Sequence, residues 1–144
     1  MNRWLLLVYS VPAKPTSLRV YIWRKLKRLG AELVHNSVWM LPATERTSEQ
    51  FRWMAAEIVE MGGRSTLCNA TFENGGGDEE IVRRFSAAAD REFRKIISAL
   101  KKHNPDLAEL SRRYQRALER DYFNSPTGKK TRRTLLARNG GGNS

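Results

Sequence analysis

The order of apolar segments and chain breakers in the first 42 residues limits what this chain can fold into more than any other feature. Trp4 to Val11 is dense in apolar and β-favouring residues, as a central strand requires, and Pro12 and Pro15 end it. The segment after Pro15 predicts a helix that Thr16 or Ser17 can cap and Gly30 can close. Its apolar stripe is formed by Leu18, Ile22, Leu26 and Leu29.

Two short extended runs follow the first helix. They cover Ala31–His35 and Val38–Leu41, and Asn36-Ser37 is suited to the turn between them. The pattern therefore predicts a hairpin directly after the first strand–helix unit.

A second helix and a fourth strand complete the first domain. Thr47 and Gln50 have the spacing of a capping box, and Gly62-Gly63 closes the helix. Ser65 to Phe72 then alternates between two faces, as a strand does. The order strand, helix, strand, strand, helix, strand predicts an α+β fold, a ferredoxin-like βαββαβ sandwich over residues 1–73.

The remainder of the chain reads as helical and then polar. Asn74 to Asp78 is a composition break, and Asp78 can cap a long helix. A second helix around Leu107 to Leu118 would make 78–122 a helical hairpin packed on the first domain. Residues 124–144 are basic and rich in glycine and asparagine, so we expect a disordered tail without a partner.

The charge of the chain is segregated along its length. The net charge is +11. Residues 1–30 hold seven basic and no acidic residues, residues 31–80 three basic and nine acidic, and residues 81–144 sixteen basic and six acidic. Two basic segments around an acidic middle favour a one-sided electrostatic surface, and nucleic acid is the commonest large anion that such a surface meets.

Three sets of basic residues are the candidate nucleic-acid contacts. They are Arg19, Arg24, Lys27 and Arg28 on the first helix, Arg112, Arg113 and Arg116 on the second helix of the hairpin, and Lys129, Lys130, Arg132 and Arg133 in the tail. Each set also has an ordinary explanation: a solvated helix face, surface pairing such as Glu109 with Arg113, or a solubilising tail.

Residues for catalysis or metal binding are scarce. Cys68 is the only cysteine and His35 and His103 are the only histidines, so an internal disulfide and a cysteine zinc site are excluded and no catalytic set or metal site is predicted. No cofactor is expected, because Gly75-Gly76-Gly77 lacks the residues of a nucleotide-binding loop. No apolar run is long enough for a membrane span, and we expect a cytoplasmic protein.

The stretch WLLLVYSVPAKPTSLRVYIWRKLKRLGAELVHNSVWMLP, followed by Phe51-Arg52 and Gly62-Gly63, resembles the N-terminal domain of the ChrB family of chromate-resistance regulators. More distantly it is similar to the effector-side domain of PaaX-type repressors and to the small ferredoxin-like subunit of CRISPR spacer integration. The resemblance covers most of the chain and is best from Trp4 to Phe72. It implies a non-enzymatic regulatory protein that binds DNA, as a dimer, and controls chromate resistance.

Two alternatives stay open at this point. One is an interaction module that dimerises through sheet edges or exposed apolar positions such as Val20, with its charge incidental. The other is a metal-dependent nuclease. The ferredoxin-like relatives that cut nucleic acid carry an acidic residue at the end of the first strand, where this chain has Tyr9-Ser10-Val11, and a serine cannot hold a divalent cation as a carboxylate does.

Overall fold

The computed structural model describes residues 2–35, 38–74 and 76–141, which form four strands and five helices. In chain order these are β1 Trp4–Ser10, α1 Ser17–Arg28, β2 Glu32–Val34, β3 Val38–Pro42, α2 Glu45–Glu60, β4 Arg64–Ala70, α3 Gly77–Leu100, α4 Leu107–Glu119 and α5 Pro126–Gly141. The turn predicted at Asn36-Ser37 lies outside the described residues. The chain divides into two compact units, 1–78 and 79–144.

The four strands form one antiparallel sheet in the order β2-β3-β1-β4. Leu6 of β1 lies opposite Met40 of β3 and Cys68 of β4, so β1 has a neighbour on both sides. This central position explains why the first strand is almost entirely apolar, whereas the edge strand β4 alternates between half-buried and exposed residues.

The middle of the apolar stripe predicted for α1 is buried, and α2 buries a similar stripe. Ile22 and Leu26 of α1 and Phe51 and Ile58 of α2 have no exposed surface. The end of α2 approaches β1 so closely that a Cβ at residue 63 would lie 2.6 Å from the Ser10 carbonyl oxygen. Glycine at position 63 is therefore a packing requirement as well as a helix stop.

The cap of α2 differs from the sequence prediction. Thr44, not Thr47, is the N-cap: the Thr47 backbone N–H donates to the Thr44 hydroxyl at 3.0 Å, and the Thr44 backbone N–H donates to the Thr47 hydroxyl at 2.9 Å. The predicted partner, Gln50, lies within the helix, and among the described residues its buried Oε1 has no hydrogen-bond partner. Two threonines three residues apart thus form the reciprocal box that we assigned to threonine and glutamine.

Asp78 also has a different role from the one predicted. The helix α3 begins at Gly77, one residue earlier, and the Asp78 carboxylate accepts the indole N–H of Trp4 at 2.7 Å and the backbone N–H of Asn2 at 3.4 Å. The side chain that we expected to cap α3 therefore fastens the start of that helix to β1.

The second unit has a core built from three helices rather than two. Side chains of α3, α4 and α5 share one buried cluster, which comprises Ala89, Phe93, Ile96, Leu100, Leu110, Tyr114, Ala117 and Leu135. The rings of Phe93 and Tyr114 within this cluster lie 6.0 Å apart. Arg113 of α4 also donates to Glu92 of α3 at 3.1 Å, which links the same two helices.

The segment that we expected to be a disordered tail is the helix α5. Its first turn is held by one side chain of α3 and one from the segment after α4: the Thr127 hydroxyl donates to Asp90, and the Asp121 carboxylate accepts the Ser125 backbone N–H at 2.9 Å. At Gly128 a Cβ would lie 3.1 Å from the Phe93 ring, so the glycine lets α5 approach α3. The prediction missed this helix because its buried face consists of Gly128, Thr131 and Leu135, a single large apolar residue among small ones.

Candidate nucleic-acid interface

The basic face of α1 is solvent-exposed as predicted from the sequence. Arg24, Lys27 and Arg28 are exposed on the side of the helix away from the buried Ile22 and Leu26. At 100° per residue these three basic residues span roughly a third of the helix circumference. The Lys27 ammonium lies 5.6 Å from the centre of the Trp23 ring, a cation–π contact that leaves the ammonium accessible to solvent and to an anion.

Lys25 belongs to a different cluster on the other flank of α1. Its ammonium lies 3.2 Å from the Glu57 carboxylate of α2, and the Tyr21 hydroxyl donates to the same carboxylate. The hydrogen bond from Tyr21, followed by the contacts with Lys25, lowers the pKa of Glu57 below its ordinary value, and Tyr21 and Glu57 together raise the pKa of Lys25. The charge of Lys25 is thus balanced by a carboxylate of α2.

Glu57→Gln is expected to reduce the acid sensitivity of the protein. Folding lowers the pKa of Glu57, so the ionised carboxylate stabilises the folded state. This stabilisation is present above the unfolded pKa of about 4.3 and is lost as the pH falls through the folded pKa. The side chains of Lys25 and Glu57 are 40% and 27% exposed, so the loss at pH 7 should stay below about 1 kcal/mol. Urea unfolding at neutral pH and near pH 3 measures the difference in free energy of unfolding between the variant and the unchanged protein, with Glu60→Gln on the same helix as the charge-matched control. If Glu57→Gln lost the same stability at both pH values, ionised Glu57 would not be the source of the acid sensitivity.

The arginines of α4 are largely paired with carboxylates. Glu109 accepts from Arg112 at 3.0 Å and from Arg116 at 3.2 Å, and these two guanidinium groups lower the pKa of its carboxyl. Arg113 pairs with Glu92 of α3, and not with Glu109 as its i+4 spacing suggested. The α4 arginines predicted as nucleic-acid contacts are therefore held in ion pairs, and this helix offers less unneutralised positive charge than its sequence implies.

The helix α5 carries the densest set of exposed basic residues. Lys129, Lys130, Arg132 and Arg133 are all exposed, while Thr131 between them is fully buried. At 100° per residue the four cations occupy an arc of roughly 160° opposite the face formed by Gly128, Thr131 and Leu135. Within the described part of the chain, no carboxylate lies in ion-pairing distance of any of the four. The burial of one face thus fixes a continuous cationic face on the other.

Arg19 is separated from the rest of its predicted set. It lies on the flank of α1 together with Trp23, and both line a cavity between α1 and the strands β1, β2 and β3. The structure therefore groups the candidate residues differently from the sequence. Arg24, Lys27 and Arg28 share one exposed crest of α1, whereas Arg19 lines a cavity. The α4 arginines form ion pairs, and the basic residues of α5 share one exposed face.

Neither of two further kinds of site is found in the described ranges. Within 2–35, 38–74 and 76–141, no three or more His, Cys, Asp or Glu side chains are grouped so that they could hold a metal ion. None of the helices described there is long and apolar enough to span a bilayer.

Comparison with known proteins identifies the family. The model of the family described as "Protein ChrB, N-terminal" matches residues 19–118, which run from α1 to the end of α4. The chain is also similar to Protein ChrB of Cupriavidus metallidurans, at 25% identity over 88 residues that cover 61% of this chain and 26% of the relative. It thus matches about a quarter of the length of that relative. No solved structure is significantly similar to the chain. Since the family match extends over more than half of the sequence, the chain belongs to the ChrB N-terminal family.

Proposed function

We propose that this chain is a DNA-binding domain of a chromate-resistance regulator, and that the cationic face of α5 is its main DNA contact. The role in chromate resistance rests on membership of the ChrB N-terminal family. The DNA contact rests on one observation: four exposed, unneutralised cations within five residues of a helix whose other face is buried.

The geometry of α5 suits the DNA duplex. A helix with side chains is about 10–12 Å across, and the major groove of B-DNA is about 12 Å wide. A fixed helix also presents its cations without the entropy loss that an unstructured arm would undergo on binding. Lysine and arginine at these positions can neutralise phosphates on both sides of a groove.

The crest of α1 provides a second, weaker surface in the other unit. Arg24, Lys27 and Arg28 are exposed there, on a helix that contains no acidic residue. We assign this surface to non-specific phosphate contacts, because three cations on one helix turn contribute affinity without base readout.

We further infer that the first unit follows the ferredoxin-like plan. Its strands and helices occur in the order β1-α1-β2-β3-α2-β4, and its sheet is antiparallel. In such a unit the basic α1 crest is carried by a rigid sheet, which supports phosphate contacts at fixed spacing.

The test is fluorescence anisotropy of labelled duplexes tiled through the DNA upstream of the gene that encodes this chain, measured at several salt concentrations. The variant replaces Lys129, Lys130, Arg132 and Arg133 by glutamine. It is expected to bind at least about tenfold more weakly at low salt, and its log–log salt slope should be shallower by about 2 to 4, since each phosphate contact contributes about 0.9.

The control removes the same number of charges from another helix of the same unit. Arg91, Lys95, Lys101 and Lys102 lie in or just after α3 and are exposed. Their replacement by glutamine should leave the salt slope nearly unchanged. Equal loss in the two variants would show that net charge, and not the α5 face, determines affinity. A lack of binding by the unchanged protein at low salt would refute the proposal outright.

A further inference from the structure

The first unit contains a cavity of about 480 Å³ beside the end of β1. This size is typical of small-molecule sites, which measure about 300–1,000 Å³. Its lining residues are Tyr9, Ser10, Val11, Arg19, Trp23, Leu33 and Trp39. Three of them are aromatic, and Arg19 is the single charged residue among them. The cavity thus combines an apolar, flat-walled body with one cation.

Hydrogen-bond donors converge on one side of this cavity. Burial, as the largest effect, raises the pKa of Tyr9 above its ordinary value, against the opposing effect of the Trp39 indole. Tyr9 therefore keeps its proton at neutral pH, and its hydroxyl can donate to an acceptor in the cavity. The positive charge of Arg19 acts on this same hydroxyl.

The cavity has no acidic partner for its arginine. No carboxylate is present among the described residues that line it, and the sequence before Glu32 contains none. A guanidinium group is always charged and offers a planar set of donors that matches a carboxylate or a phosphate. Arg19 takes part in no ion pair among the described residues, and Tyr9 and Ser10 line the same cavity, so the three side chains offer hydrogen-bond donors to an anion.

We propose that this cavity binds a small organic anion with a flat apolar body, its acidic group on Arg19 and Tyr9 and its ring against Trp23, Trp39 and Leu33. Aryl carboxylates and nucleoside monophosphates share this chemistry. Trp39 is nearly fully buried and forms a fixed wall, whereas Trp23 is about half exposed and covers the ligand from the helix side. The site shares no residue with the α5 face, so the anion-binding proposal does not depend on the DNA-binding proposal.

Calorimetric titration with 2-naphthoate and adenosine monophosphate tests the site, and 2-naphthamide, adenosine and inorganic sulfate are the comparison ligands. At least one of the organic anions should bind with a Kd below about 1 mM, and its neutral counterpart should bind at least about tenfold more weakly. Preference for naphthoate or for the nucleotide identifies the source of the anion.

Two variants locate the binding. Arg19→Gln should weaken binding of the preferred anion at least about tenfold, whereas Arg52→Gln, the same change at an exposed arginine of α2 that does not line the cavity, should not. Tyr9→Phe removes only a hydroxyl and should also weaken binding, which keeps the test valid if Arg19→Gln does not fold. Equal effects of Arg19→Gln and Arg52→Gln, equal binding of charged and neutral ligands, or sulfate binding as tight as that of the organic anions would each overturn the proposal. So would the absence of binding by either organic anion.

Discussion

Leu135→Ala is expected to lower the free energy of unfolding by about 2–5 kcal/mol. Leu135 is 5% exposed and belongs to the buried cluster that α3, α4 and α5 share. Truncation to alanine removes apolar contacts with that cluster and leaves a cavity, because the surrounding helices can close it only in part. Urea or thermal unfolding followed by circular dichroism measures the loss.

Leu136→Ala is the matched control for this prediction. Leu136 is the next residue on the same helix and is 58% exposed, so its truncation should change stability by less than about 0.5 kcal/mol. The two variants lose the same atoms at neighbouring positions, and only a packed helix distinguishes them. Equal small effects would mean that residues 126–141 do not pack in solution as the structure places them, and the fixed cationic face would then lose its basis.

The sequence was most informative where apolar spacing decides the outcome. The stripe from Leu18 to Leu29, closed by Gly30, predicted α1, and Gly30 has the positive φ of 82° that such a helix end requires. The alternation of residues 65–72 likewise predicted the strand β4, and the apolar density of β1 predicted a central strand. These elements bury large apolar side chains at regular intervals, and such intervals are visible in a sequence.

The misassigned features depend on contacts between residues that are distant in the sequence. Asp78 accepts from Trp4, 74 residues earlier, and nothing near position 78 indicates that partner. The helix α5 is held by Asp90, by Asp121 and by the close approach of Gly128 to Phe93. Its apolar pattern is too weak to indicate a helix, because these tertiary contacts supply its stability. Local patterns report local preferences, and tertiary contacts overrode them at these positions.

The candidate interface shows the same contrast between local patterns and tertiary contacts. The basic residues are evident in the sequence, but their ion pairs in the folded protein decide which of them can bind a ligand. Glu92 of α3 pairs with Arg113 across a contact that only the tertiary fold sets, whereas Glu109 pairs with Arg112 and Arg116 within α4. Arg19 lines a cavity together with Tyr9 and Trp39. Counting charges in the sequence therefore overestimated the unneutralised positive charge of α4. Because we expected residues 124–144 to be disordered, the sequence analysis did not predict the fixed arrangement of the α5 cations.

Trp4→Ala is expected to destabilise the protein by about 3–5 kcal/mol, as truncation of a fully buried tryptophan does. Trp4 has no exposed surface, and its ring meets Phe72 edge to face at 6.4 Å. Its indole N–H donates to Asp78 at 2.7 Å, beside the first turn of α3. The change removes the largest side chain at the start of β1 and also the link between that strand and the start of α3. Chemical unfolding of the full chain measures the loss, with Trp53→Ala as control, since Trp53 is 71% exposed and should lose less than about 0.5 kcal/mol.

Trp4→Phe separates the two contributions of Trp4. Phenylalanine keeps an aromatic ring in the site but has no N–H, so Asp78 loses its shortest donor and retains the Asn2 backbone N–H at 3.4 Å. A loss of about 1–3 kcal/mol is expected, from one hydrogen bond to a charged acceptor together with the smaller ring. If Trp4→Phe were as damaging as Trp4→Ala, the hydrogen bond to Asp78 would outweigh the packing of the ring. If Trp53→Ala were as damaging as Trp4→Ala, the burial that defines the core around β1 would be wrong.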